Sequence, residues 1–302
     1  MSRKRKDIFF LGKGGVGKST VSALTAVRLA LQGKNVLLVS LDPAHNQSDI
    51  FQMEFSGNPR EINRNLSVQE IDIDKQIKNY LSAVESQVKR SYSYLTALNL
   101  ENYFGIIKYS PGIEEYALLA AYSEITGNNG EKDFIIFDMP PTALALKFFG
   151  LPKLSLLWLN KLLELRNEIL RKREIITKIK FGKREVERDK LINKLSEQVA
   201  KYNGVKSAFE NNGLTKINLV LNPDELSFSE SELIKKKLEE FGITVSGIIV
   251  NKYVRGYGLS RIKEKFNSTD LKILPASESP LLGFPALENY LHSNWDNDTS
   301  FE

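Results

Sequence analysis

The sequence predicts an α/β fold: a doubly wound, mainly parallel sheet with an inserted helical subdomain. Three observations predict it. A glycine loop at residues 12–20 joins a short apolar run to a helical pattern. Two further apolar runs each end in an aspartate. Two stretches of helical periodicity, at 75–98 and 148–170, interrupt the strand-like segments. At 302 residues the chain is long enough to bury a sizeable core.

The first element is Ile8-Phe9-Phe10-Leu11, an apolar run suited to a buried parallel strand. Gly12, Lys13, Gly14, Gly15, Val16, Gly17, Lys18, Ser19 and Thr20 follow it, satisfying G-x-x-x-x-G-K-[ST]. Backbone N–H groups of such a loop cradle nucleotide phosphates. The weaker G-x-G-x-x-G pattern of Gly12, Gly14 and Gly17 is also present, but it does not call for the Lys18-Ser19 ending. From residue 19 to 31, Val21, Leu24, Val27 and Leu31 recur at helical spacing. Strand, glycine loop and helix N-terminus together make an anion site. The expected fold is therefore that of a P-loop NTPase, with ATP and Mg²⁺ as ligands. Lys18 is expected on the β- and γ-phosphates and the Ser19 hydroxyl on Mg²⁺. Lys13 is not needed for the cradle; its reading as a solvated loop lysine stays open.

The second strand, Val36-Leu37-Leu38-Val39-Ser40-Leu41, ends in Asp42-Pro43. A carboxylate just past a parallel strand's C-terminal end lies in the crevice where such sheets bind ligands. Asp42 can orient the attacking water there, or it can cap a helix, since Asp before Pro is an ordinary helix start. The third, Asp133-Phe134-Ile135-Ile136-Phe137-Asp138, again ends in an acid. Asp138 fits the aspartate that holds Mg²⁺, usually through water.

The helical stretches differ in character. Between 75 and 98, Ile77, Leu81, Val84, Val88, Tyr92 and Leu95 form one apolar stripe. From 148 to 170 the chain is leucine-rich, and Leu156-Leu157-Trp158-Leu159 is apolar on every side. Such a helix is either core or the wall of a groove for an apolar partner helix. Residues 166–188 are strongly basic, including Arg171-Lys172-Arg173 and Lys183-Arg184, and read as an exposed helical pair. That pair is either a solvated face or a surface toward acidic lipid or a receptor.

Composition excludes several functions. No cysteine is present, so this chain supplies no disulfide, thiolate zinc, iron–sulfur or thiolate–metalloid site. Two histidines, His45 and His292, are too few for a histidine cluster. A net charge of +5 is mild for this length and gives no expectation of nucleic-acid binding. The N-terminal basic run precedes too short an apolar run for a signal peptide, and charges interrupt each apolar segment. A cytoplasmic protein with transient membrane association is expected.

Ordered motifs now make a resemblance specific. They are K-G-G-V-G-K-S-T from Lys13, D-P-A-H-N from Asp42, P-G-I-E-E from Pro111 and D-x-x-P-T from Asp138. Leu151-Pro152, N-P-D-E-L-S from Asn222 and I-I-V-N ending at Asn251 complete the set. Together they resemble the arsenical pump-driving ATPase family, most closely its members for guided entry of tail-anchored membrane proteins. The resemblance implies a homodimer closed by ATP, with Lys13 reaching the partner's phosphates. It also implies Asp42 as hydrolytic base, Asp224 and Asn251 as nucleoside contacts and Pro275 in a loop over the base. The implied client is the hydrophobic transmembrane helix of a membrane protein, with a membrane receptor as a further partner.

Two departures matter. The C-x-x-C that lets such dimers share zinc is missing, so a zinc-free variant is expected. Ala143 and Leu144 replace the usual glycine and histidine after Pro141-Thr142. The whole is expected to be one discontinuous ATPase domain: a core of 1–65, 110–150 and 213–302, with helical excursions at 66–109 and 151–212. The loop motif occurs once, so each chain offers one ATP site. The alternatives are the soluble ATPase of an anion or metalloid exporter, disfavoured by the missing cysteines, and a partitioning- or division-type ATPase.

Overall fold

A computed structural model describes residues 5–44, 46–91, 110, 112–181, 190–254, 259–266 and 269–295. The strands are β1 (Lys6–Leu11), β2 (Val36–Ser40), β3 (Arg60–Asn63), β4 (Leu66–Glu70), β5 (Phe134–Asp138), β6 (Thr215–Leu221), β7 (Gly247–Tyr253) and β8 (Asp270–Pro275). They form one sheet in the order β3-β4-β2-β5-β1-β6-β7-β8. Every pairing is parallel except β3 with β4. β1 is central, and its neighbours β5 and β6 come from much later in the chain. Strand order reverses on either side of β1, the place where α/β sheets open a ligand crevice.

The helices are α1 (Lys18–Leu31), α2 (Asn46–Phe51), α3 (Ile73–Ser91), α4 (Ile113–Asn128), α5 (Thr142–Phe181), α6 (Lys190–Glu210), α7 (Glu225–Glu240), α8 (Leu259–Lys265) and α9 (Phe284–Asn294). They cover both faces of the sheet, so its strands are buried on both sides and read as continuous apolar runs. The period-2 geometry of β1 divides the core: Ile8 and Phe10 join one apolar cluster, Phe9 and Leu11 the other. Val21, Leu24 and Val27 of α1 lie in the first cluster with Leu287 and Leu291 of α9. In the second, Phe9 stacks on Phe137 at 4.8 Å between ring centres, and Phe148, Phe149, Phe209 and Tyr122 surround the pair. Those rings bring α4, α5 and α6 onto one face. The Tyr122 hydroxyl also donates to Asp7 at 3.0 Å, and burial holds the Asp7 carboxyl above its ordinary value.

The sheet corrects one expected boundary. Leu66–Glu70, expected within the first helical excursion, is strand β4, paired in parallel with β2 and closed by an antiparallel hairpin with β3. The reason is alternation: Leu66 and Val68 are buried in the core while their hairpin partner forms the sheet edge. α3 then covers Ile73 to Ser91; the expected periodicity at Tyr92 and Leu95 lies outside the described residues.

The leucine-rich segment is part of α5, which starts at the turn after β5 and runs for 40 residues despite Pro152. Within its stretch Thr142–Lys172, an 18-residue window reaches mean hydropathy 1.3, enough by length and composition alone to cross a bilayer. Lys147, Lys153 and Lys161 interrupt the stretch, as expected, and 44 % of the apolar window is buried. Nearest the sheet, Phe148, Phe149, Leu151 and Leu156 are buried. Further along, Leu154, Leu157, Trp158, Leu162, Leu165 and Ile169 are exposed, Trp158 at 73 %. Core and exposed face are thus two parts of one helix. Arg171 and Lys172 are exposed, as expected, whereas Lys183 and Arg184 lie outside the described residues.

Candidate functional site

The candidate residues collect at the C-terminal ends of the parallel strands. Phe10 of β1 and Ser40 of β2 are both in register with Asp138 of β5. The chain leaving each strand therefore enters one crevice. From β1 it enters the glycine loop. Gly12 passes so close to β6 that a Cβ would lie 2.1 Å from the Val220 carbonyl oxygen. Gly17 has φ +90°, and a Cβ there would lie 2.4 Å from Asn251 Nδ2. These two positions require glycine for space as well as conformation. Gly14 and Gly15 face open space, and Val16 is buried under the loop. Gly17 caps α1 without a side-chain acceptor, so the helix begins with its amide N–H groups presented to the crevice.

Lys18 is buried, and its ammonium donates to the Lys13 carbonyl at 3.4 Å, folding the lysine back along the loop. Thr20 is half-buried in the first turn of α1. Lys13 stands within electrostatic reach of Asp224 of the same chain. Desolvation pushes the Asp224 carboxyl up. The Ser227 N–H and hydroxyl and the Lys13 charge outweigh it and hold that carboxyl below its ordinary value. Asp224 caps α7, accepting from Ser227 N and Ser227 Oγ, each at 2.9 Å.

From β2 the chain turns through Asp42-Pro43-Ala44. The Asp42 carboxylate accepts from Ala44 N at 3.0 Å, closing an Asx turn, and α2 starts only at Asn46. Asp42 is buried and shapes a turn rather than capping a helix. His45 lies outside the described residues. Asn46 Nδ2 donates to Ser19 Oγ at 3.3 Å. Gln47 Nε2 reaches the Ser19 carbonyl at 3.1 Å and Asp138 Oδ2 at 3.0 Å. Glu70, at the end of β4, accepts from Gln47 N, Ser48 N and Ser48 Oγ, holding the start of α2 in place.

Asp138 is wholly buried. Burial pushes its carboxyl up to about 7, against the Ser19 hydroxyl and Gln47 amide, which pull it down. Asp42 adds to the rise and Lys18 opposes it. Its Oδ1 makes no hydrogen bond within the chain. A buried, unpartnered carboxylate oxygen beside a serine hydroxyl and a lysine suits a hydrated divalent cation bound with phosphates.

After β5, Thr142 opens α5. Its hydroxyl lies 2.5 Å from Glu230 Oε1 of α7 and 3.3 Å from the Gly12 carbonyl. Ala143 is exposed, and Leu144 packs against the core cluster. One turn further, Lys147 pairs with the buried Glu115 of α4 at 3.0 Å. That pair joins the P-G-I-E-E segment to the start of α5; Pro111 itself lies outside the described residues.

On the other side of the loop, Asn251 Nδ2 donates to the Val16 carbonyl at 2.8 Å and Lys252 Nζ to the Gly15 carbonyl at 3.0 Å. Lys252 has φ +54° at a register irregularity of β7. The Asn251 amide nitrogen thus grips the loop in this structure. Pro275 ends β8, three strands from β1, and its carbonyl accepts from the Tyr290 hydroxyl at 2.6 Å.

A family model described as anion-transporting ATPase matches residues 5–257. The chain belongs to the anion-transporting ATPase family. The family's activity is ATP hydrolysis. "Putative arsenical pump-driving ATPase 2" of Aquifex aeolicus is 34 % identical over 245 residues, covering 81 % of this chain and 79 % of the relative. "ATPase ASNA1 homolog" of Entamoeba dispar is 32 % identical, covering 83 % and 77 %. "ATPase GET3C" of Arabidopsis thaliana is 28 % identical, covering 94 % and 81 %. The crevice also contains residues the motif reading passed over: Gln47, Glu70, Glu230 and Lys252. Glu70 had a readable signal, an acid ending a strand-like run as Asp138 does; the other three do not stand out in sequence.

Proposed function

We propose that this ATPase is a homodimeric targeting factor that captures the hydrophobic helix of tail-anchored membrane proteins and couples capture or release to ATP turnover. The observation that carries the proposal is the exposed apolar face of α5. Leu154, Leu157, Trp158, Leu162, Leu165 and Ile169 recur at helical spacing on a helix whose first residue, Thr142, lies in the ATP site. The motif resemblance to tail-anchored-protein targeting ATPases supports it. In this reading the helical stretches after β4 and along α5 and α6 form a client-binding part inserted into one discontinuous ATPase domain. The protein works in the cytoplasm and meets a membrane receptor transiently.

The roles rest on the motif resemblance. The loop N–H groups and Lys18 bind the phosphates; Ser19 and Asp138 hold Mg²⁺, the latter through water. Bound there, the cation neutralises charge on the phosphates. Asp42 orients the water that attacks the γ-phosphate. Lys13 reaches the partner's phosphates in the closed dimer, and Asp224 contacts the nucleoside. Asn251 and the Pro275 loop complete the nucleoside contacts.

A second reading, the soluble ATPase of an exporter, is favoured by the name of the Aquifex aeolicus relative. Thiolate capture of arsenite finds no cysteine here. The test is co-expression with a tail-anchored substrate whose C-terminal helix is intact or interrupted by charges, using wild type and Asp42→Asn. Co-purification that requires the intact helix supports targeting. ATPase activity without capture overturns it.

A further inference from the structure

Gln47 is wholly buried, yet nothing in the loop motif calls for an amide there. Its Nε2 lies 3.0 Å from Asp138 Oδ2, 3.1 Å from the Ser19 carbonyl and 3.2 Å from Ser22 Oγ. A carboxamide nitrogen has two hydrogens, so these three acceptors saturate it. The other end of the side chain is different. Gln47 Oε1 is buried without a hydrogen-bond partner, and so is Asp138 Oδ1. Each orphan oxygen belongs to one end of the same Gln47–Asp138 hydrogen bond. Buried acceptors are almost always satisfied, by protein, water or an ion. Two that share one hydrogen bond call for a ligand that offers donors, and a hydrated cation does so through its waters.

We propose that Gln47 is a positioning residue for the nucleotide-bound cation. Its Nε2 fixes Asp138 by Oδ2, leaving Oδ1 for the hydration shell, and its own Oε1 accepts from that same shell. The proposal rests on the reading that Asp138 holds Mg²⁺ through water. It adds a consequence for the neighbouring turn. Gln47 N is anchored on Glu70 at 2.8 Å, and Gln47 lies five residues after Asp42. Filling the cation site therefore stiffens the start of α2 and, with it, the turn that presents Asp42. Partners of bound-metal ligands commonly alter metal affinity ten- to a hundredfold when removed.

The test is a Mg²⁺ titration of binding, with a fluorescent ADP analogue at fixed concentration, in wild type, Gln47→Leu and Asp138→Asn. Gln47→Leu preserves bulk and removes both polar ends. It is expected to raise the Mg²⁺ concentration for half-maximal tightening about ten- to a hundredfold, while the affinity in EDTA stays within about twofold of wild type. Gln47→Asn keeps the amide one methylene short and is expected to shift the requirement in the same direction by less; it serves if Gln47→Leu does not fold. A lower melting temperature with an unchanged Mg²⁺ requirement would make Gln47 a packing residue and overturn the proposal. If Asp138→Asn shifts the requirement and both Gln47 variants do not, the Gln47 assignment alone fails. If none of the three shifts it, the Mg²⁺ reading of Asp138 fails with it.

Discussion

The side-chain amide of Asn251 donates to the carbonyl of Val16 at 2.8 Å, joining the end of β7 to the phosphate loop across 235 positions of sequence. The loop is thereby set before any nucleotide arrives, with Lys252 gripping the next carbonyl back, that of Gly15. Preset geometry of this kind lowers the ordering cost of binding. Asn251→Ala should weaken ATP binding by about tenfold, the loss of one buried hydrogen bond of roughly 1–2 kcal/mol. Calorimetric titration checks it. Gly17→Ala should be more severe, because its Cβ would strike the Asn251 amide at φ +90°.

Asp42 and Lys13 separate binding from turnover. Asp42→Asn should retain ATP affinity within about threefold and reduce hydrolysis by at least about a hundredfold, the scale of a lost general base. Lys13→Ala should slow hydrolysis while leaving affinity for a single subunit nearly unchanged. Equilibrium binding and phosphate release, measured on the same preparations, distinguish the two effects. Normal hydrolysis by Asp42→Asn would remove Asp42 from its role.

Thr142 and Glu230 should behave as one unit. Their 2.5 Å contact links the turn after β5 to α7. In a double-mutant cycle with Thr142→Val and Glu230→Gln, stabilities from urea unfolding should be non-additive by about 0.5–3 kcal/mol. Additive losses would show two independent residues.

The motifs placed the crevice because phosphate chemistry demands particular residues in short spans. A nine-residue loop and two strands ending in aspartate suffice for the arrangement of β1, β2 and β5. Gln47, Glu230 and Lys252 escaped that reading because their partners, Asp138, Thr142 and Gly15, are brought near only by the sheet. β4 escaped it because five residues are too few to separate a strand from a helical start by periodicity. The leucine-rich run offered two readings, core or groove wall. The fold divides α5 into a part packed on the Phe9 cluster and an exposed remainder.

That division is testable by substitution along one helix. Phe148→Ala, within the aromatic cluster, should cost about 3–5 kcal/mol of stability. Leu157→Asp and Trp158→Asp, on the exposed face, should leave thermal stability and basal ATPase activity nearly unchanged while abolishing client capture. Melting curves and co-purification read the two outcomes.

Tyr290 predicts an alkaline response. Burial pushes its hydroxyl, which donates to the Pro275 carbonyl, up to about 12 from an ordinary value of 10.0. Between those values the unfolded chain loses a proton that the folded chain keeps, so stability falls as pH rises. The contribution is fully present below pH 10. Tyr290→Phe should therefore unfold with a shallower pH dependence from pH 10 to 12, the remaining slope including Tyr202, also pushed up to about 12 by burial. Urea unfolding at stepped pH measures it; an unchanged slope would contradict the assignment.

Because α5 is continuous from Thr142 to Phe181, it has the geometry of a lever arm. Trp158 lies about 24 Å along the axis from Thr142, at 1.5 Å per residue. A tilt of about 5° at the nucleotide end, far smaller than a loop rearrangement, moves that indole about 2 Å, and the end of the helix farther still. Any tilt at Thr142 would thus become travel at the exposed apolar face, and residues nearest the sheet, such as Phe148, would move least.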